Sequence, residues 1–183
     1  MFQVQRDSDP QKNYESMLYA AKRILADDRD MIAVLANLSA VINAYMDRIN
    51  WVGFYLMKND ELVLGPFQGL PACVRLQVGK GVCGTAVAER KTQIVDDVHT
   101  FHGHIACDSA SNSEIVIPIY VNDTVFGVLD VDSPEFSRFG DLEAQYLSDI
   151  CLLIGEHLVV DEVQIAFVSR PENVEGCFSC GKN

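Results

Sequence analysis

Residues 101–119 read FHGHIACDSASNSEIVIPI, a run that gathers imidazoles, a thiol and carboxylates just ahead of an apolar segment. Cys107 stands among small and polar residues, with His99, His102 and His104 before it and Asp108 and Glu114 after it. A thiol in such a loop can be accessible and partly ionised, the two conditions that nucleophilic cysteines require. The same residues also have plausible spacing for a metal: His102, His104 and Cys107 with Cys73 or Cys83 would complete a tetrahedron. No pair of C-x-x-C elements encloses one site, however, and a zinc reading is the weaker of the two.

The remaining thiols divide by context. Cys151 falls on the apolar stripe of a helical pattern, where a free thiol acts as a small hydrophobe. Cys177 and Cys180 form a C-x-x-C near the C-terminus, half of a metal site or an incidental pair. Six cysteines without an apolar leader in MFQVQRDSDP indicate a reducing compartment, hence a cytoplasmic protein whose cysteines are for chemistry or packing rather than structural disulfides. Gly79, Gly81 and Gly84 formally fit G-x-G-x-x-G, but that motif needs a βαβ unit and a downstream acidic residue, and a glycine turn is the better reading.

The net charge of −12, from 26 acidic and 14 basic residues, removes the long-range attraction that nucleic acid or anionic lipid would require. Apolar runs such as CLLIGEHLVV are broken by charge well short of a membrane span. A chain of 183 residues makes one domain, able to bury roughly 70% of its unfolded surface and so to enclose a pocket.

The elements that must position these groups are legible from period and punctuation. Asp9 and Pro10 open a helix with Tyr14, Met17, Leu18, Ala21, Ile24 and Leu25 on one face. Asp30 caps a second, MIAVLANLSAVINAYMD. NWVGFYLMKNDELVLGPF and EIVIPIYVNDTVFGVLDVDS are hairpins turning at KND and at Asn122–Asp123. Between them lie a glycine turn with a short helix, VGKGVCGTAVAER, and a strand, KTQIVDDV. A last helix opens on Asp141 as its cap and repeats Leu147, Cys151, Ile154 and Leu158. Helices framing antiparallel hairpins make an α+β domain over residues 1–158, and the Pro- and Gly-punctuated residues 159–183 form an appendage.

The segments NWVGFY, PFQGLPAC, GKGVCGTA, DVHTFHGHIACDSASNSEIVIP and GVLDVDS resemble the free methionine-R-sulfoxide reductases, enzymes built on a GAF domain. The resemblance runs from about Tyr14 to Leu158 and takes in Cys73, Cys83 and Cys107; the tail departs from it. It implies a central antiparallel sheet with helices packed against it and a loop-closed pocket that reduces free methionine (R)-sulfoxide, with no cofactor and no metal. Sulfoxide reduction needs a thiolate to attack sulfur, an acid for the departing oxygen and a second thiol to resolve the sulfenic acid. On the resemblance, Cys107 is the nucleophile, Cys73 the resolving thiol and Cys83 a second or alternative resolver. Glu114, Asp130 and Asp132 would surround the sulfoxide oxygen and the substrate ammonium; Asp130 and Asp132 share a face because strand side chains alternate. Trp51, the only tryptophan, and Tyr55 would wall the pocket against the substrate methyl. Apart from the resemblance, a chain of net charge −12 offers few free cations, so the backbone N–H groups of Ile105, Ala106 and Cys107 are expected to take the substrate carboxylate. Thioredoxin is the implied reductant, and family members can form homodimers. The rival readings are a ligand-sensing GAF module without catalysis and a thiol redox sensor, and turnover separates both from an enzyme.

Overall fold

The computed structural model describes residues 3–101 and 110–168, with side chains described through Val159. Cys107, Ile105, Ala106, His102 and His104 therefore lie outside the described residues, as do Cys177 and Cys180. Two helices, α1 (Pro10–Asp27) and α2 (Met31–Tyr45), precede a hairpin of β1 (Trp51–Lys58) and β2 (Glu61–Gln68). Then come β3 (Arg75–Gln77), α3 (Gly81–Glu89), β4 (Gln93–Val95), a single 3-10 turn, β5 (Ser113–Val121), β6 (Thr124–Ser133) and α4 (Asp141–Val168).

Local chemistry accounts for these boundaries. The Asp9 carboxylate accepts from Gln11 N at 3.0 Å and that of Asp30 from Ala33 N at 2.9 Å, each satisfying a donor that helix geometry leaves unpaired. Both hairpins turn on two consecutive left-handed residues, Asn59–Asp60 and Asn122–Asp123. That backbone matches the twist of the flanking strands, and Asn and Asp tolerate it. Among the described residues the strands form one sheet in the order β3-β2-β1-β6-β5-β4, every pairing antiparallel. The Gly79–Gly84 cluster thus has no βαβ unit around it.

The sheet is buried on both sides, which is why its strands read as nearly continuous apolar runs. Val52, Phe54, Leu56, Ile115, Ile117, Ile119, Leu129 and Val131 face α1, α2 and α4 in the larger core. The alternate residues Trp51, Tyr55, Val116 and Val128 face α3 and its Val82, Cys83, Ala86 and Val87. Cys151 is a free thiol buried in the larger core, as its stripe position indicated. Arg138 ties α1, α4 and the segment that follows α2: its buried guanidinium donates to Tyr14 Oη (3.1 Å), Glu143 (2.7 Å) and Asp47 (3.0 Å).

One expectation is corrected. Asp141 is the first residue of α4 rather than its cap: Ala144 N bonds to Gly140 O at 3.0 Å, and Glu143 reaches back to Gly140 N at 3.0 Å. This is the acidic half of a capping box built on glycine, so the nearby Asp misled the reading. The helix runs on to Val168, past the boundary expected at residue 159. Among the described residues, no helix is long and apolar enough to cross a membrane.

Candidate active site

The pocket lies on the α3 side of the sheet, and strand register assembles it. Asp132 on β6 is paired with Glu114 on β5 and with Trp51 on β1, which puts these residues in one row across three strands. Two positions along β6, Asp130 projects from the same face opposite Gly53 and Val116. Cys83, in the first turn of α3, comes down onto this row: its Sγ stands 3.2 Å from Asp130 Oδ2 and 4.0 Å from Glu114 Oε1. Trp51, Tyr55, Cys83, Glu114, Asp130 and Asp132 all line one cavity, together with the Leu70–Ala72 segment, Lys80 and Ser111. The sequence readings for these six residues converge on one place.

The aromatic wall has a structural duty as well. Trp51 stacks against Phe67 (centroids 5.4 Å apart, 16° between planes) and Tyr55 (5.9 Å, 26°). Trp51 Nε1 donates to Leu70 O at 3.1 Å and Tyr55 Oη to Cys73 O at 3.0 Å. The polar tips of both rings therefore anchor to the sheet the loop that carries Cys73. Gly53, between them on the pocket face, lets the indole lie flat: a Cβ there would stand 2.6 Å from Trp51 Cη2 and 2.4 Å from Phe67 Cβ.

Burial raises two of the carboxyl groups, Glu114 and Asp130, above the usual carboxylate range. Desolvation, reinforced by the charges of Asp130 and Asp132, holds Glu114 well above the usual carboxylate range and so favours its protonated form. Burial also pushes Asp130 up, to about 6, with hydrogen bonds from Cys83 and Glu114 pulling it back, so it is mostly ionised at neutral pH. Adjacent carboxyls with opposed proton occupancy are the usual arrangement where one is to act as an acid and the other as a fixed charge. Asp130 Oδ1 is buried and has no hydrogen-bond partner among the described residues. An unsatisfied charged acceptor lining a cavity is a place for a cationic donor.

The thiols are not equivalent. Cys73 is disulfide-bonded and half-buried, while Cys83 and Cys151 are free, so neither of these is its partner. Burial first, then the charges of Asp130 and Glu114, push the Cys83 thiol well up. Cys83, Glu114 and Asp130 offer donor atoms within 4.8 Å of one another, a possible cation cage; a metal would have to displace the protons that this environment holds on Cys83 and Glu114.

The sequence reading missed Lys80, Ser111 and Leu70–Ala72 as pocket residues. Lys80 sits inside GKG, which reads as a turn, and its only signal was being a cation in an acidic chain next to a candidate cysteine.

Comparison with known proteins places this geometry. A GAF domain model matches residues 28–159. The chain is 49% identical over 146 residues to the free methionine-R-sulfoxide reductase of Escherichia coli, covering 80% of this chain and 88% of that protein. It is 40% identical over 153 residues to the enzyme of that name from Saccharomyces cerevisiae, covering 79% and 85%. The X-ray structure of free methionine-R-sulfoxide reductase from Neisseria meningitidis in complex with its substrate superposes with a TM-score of 0.85 at 39% identity, covering 90% of this chain and 99% of that one.

Proposed function

The chain belongs to the GAF-domain family of free methionine-R-sulfoxide reductases, and we propose that it reduces free methionine (R)-sulfoxide to methionine in a thiol–sulfenic acid–disulfide cycle. The observation that carries this reading is a pocket lined by Glu114, a buried carboxyl whose protonated form is favoured, with the disulfide-bonded Cys73 one residue beyond the pocket-lining Leu70–Ala72 segment. One is the product of thiol oxidation and the other a ready general acid, the two things sulfoxide reduction needs besides a nucleophile.

In the proposed cycle the Cys107 thiolate attacks the sulfoxide sulfur while Glu114 protonates the oxygen, Asp132 helping to orient it. The sulfoxide S–O bond breaks as the oxygen passes to the Cys107 sulfur, methionine leaves as the thioether, and Cys107 is left as sulfenic acid. Cys73 attacks that sulfur, expelling water and forming the Cys107–Cys73 disulfide. A thioredoxin-type dithiol then reduces the disulfide and is itself oxidised, which suits a cytoplasmic protein. The ionised Asp130 takes the substrate ammonium on its buried, unpartnered Oδ1. Trp51 and Tyr55 face the methyl, and the backbone N–H groups of Ile105, Ala106 and Cys107 take the carboxylate.

The test is thioredoxin-coupled NADPH oxidation with the free R-epimer, the free S-epimer and a peptide-bound sulfoxide. Turnover is expected on the free R-epimer alone. Equal rates on the peptide-bound substrate would contradict a pocket that recognises the free amino group, and no turnover on any would favour a ligand-sensing domain.

A further inference from the structure

Cys83 is the one thiol at the pocket floor that the proposed cycle leaves without work. Its position is set tightly. It occupies the first turn of α3, and the next residue, Gly84, brings the helix so close to β3 that a Cβ there would stand 2.2 Å from Gln77 O. Gly79 N bonds back to Gly84 O at 2.8 Å, closing the GKGVCG turn on itself. Cys83 cannot drift from the sheet without breaking these contacts.

A resolving thiol must be reachable and must ionise. Cys83 is 4% exposed and faces two carboxyl groups, which oppose a second negative charge. The helix N-terminus works the other way, favouring a thiolate, but desolvation and two adjacent acids outweigh it. The group therefore remains an S–H donor, and at 3.2 Å its acceptor is Asp130 Oδ2.

We propose that Cys83 is a positioning residue: its S–H, donated to Asp130 Oδ2, fixes that carboxylate so that Oδ1 faces the pocket to receive the substrate ammonium. This rests on the reading of Asp130 given above. Glu114 supplies a second hydrogen bond to the same carboxylate, so Cys83 and Glu114 both hold Asp130 from the protein side while the buried Oδ1 has no partner among the described residues. Without the S–H, the carboxylate loses a donor that favours its charged form, and the protonated form, which has no charge for an ammonium, gains.

The test compares Cys83→Ala, which removes the donor, with Cys83→Ser, which keeps one. In Cys83→Ala the KM for free methionine (R)-sulfoxide should rise about 10-fold, the usual effect of losing one hydrogen bond to a charged group, with single-turnover kcat within about 2-fold. Cys83→Ser should restore KM. Independently of substrate, the ¹³C carboxyl resonance of Asp130 should titrate at higher pH in Cys83→Ala than in the wild type, and return towards the wild-type midpoint in Cys83→Ser. An unchanged Asp130 midpoint in Cys83→Ala, or equal effects of Ala and Ser, would overturn the proposal. So would normal KM in both variants with a shared failure to re-form the disulfide, which would make Cys83 a resolver. Failure of the wild type to turn over the sulfoxide would reject the functional reading instead, and the Asp130 titration would still decide whether the S–H acts on that carboxylate.

Discussion

Asp130→Asn should make the protein more stable at neutral pH while abolishing its grip on an amino-acid ammonium. The buried carboxyl titrates at about 6 in the folded protein against an ordinary value of 3.8. Each unit of difference corresponds to about 1.4 kcal/mol, so holding the charge there costs the fold up to about 3 kcal/mol once Asp130 is ionised in both states. With Asp130 6% exposed, solvent does little to screen this. The sign follows from the raised value. Between pH 3.8 and about 6 the folded chain binds more protons at this site than the unfolded chain, so wild-type stability falls as pH rises through that window and then levels off. Asn, isosteric and neutral, removes the fall and can still accept from Cys83. Thermal melts of the two proteins from pH 3.5 to 8 should show no difference at the acid end and an advantage for Asp130→Asn of roughly 5–10 °C at pH 7. Isothermal titration with methionine should show binding lost in the same variant. An advantage of equal size at pH 3.5 and 7, or none at pH 7, would refute the assignment of a buried charge to this side chain.

Other perturbations address separate parts of the site. Glu114→Gln and Asp132→Asn should each slow single-turnover reduction by roughly 10²-fold with the fold retained, as measured by rapid quench; unchanged rates in both would reduce them to ordinary strand residues. Gly53→Ala should push the Trp51 ring off Phe67, destabilising by about 1–3 kcal/mol and red-shifting the emission of this lone tryptophan. Unaltered fluorescence and KM would mean the ring's seat is not part of the pocket. A chain ending at Val159 should keep single-turnover reduction, because the proposed chemistry uses nothing beyond β6; a folded truncation without it would give the tail a catalytic part.

What could be read in the sequence was what is carried by near neighbours. Asp9 and Asp30 as caps, and the Asn-Asp pairs at 59–60 and 122–123 as turns, need only a few residues of context, and the structure has them there. β3 escaped notice because Arg75–Gln77 is too short to show a period and owes its extended form to pairing with β2. The row of Trp51, Asp132 and Glu114 could be anticipated only in part: alternation puts Asp130 and Asp132 on one face, but register across three strands is a long-range property. The contact of Cys83 with Asp130 was invisible for the same reason. It depends on how closely α3 lies against the sheet, and thus on the missing Cβ of Gly84, a detail that a glycine-rich segment announces only as a turn.

In the proposed cycle a thiol of this chain takes the oxygen from free methionine sulfoxide and passes the oxidation to Cys73. Fully reduced protein mixed with excess free methionine (R)-sulfoxide and no reductant should release about one methionine per chain, as a single thiol-to-disulfide cycle requires. Peptide mapping should find the new disulfide between Cys107 and Cys73, with Cys83 still free. Cys107→Ser should release no methionine, and Cys73→Ser should release it but stop at the sulfenic acid. Full methionine release from Cys107→Ser would contradict the account, since the nucleophile would then be another residue.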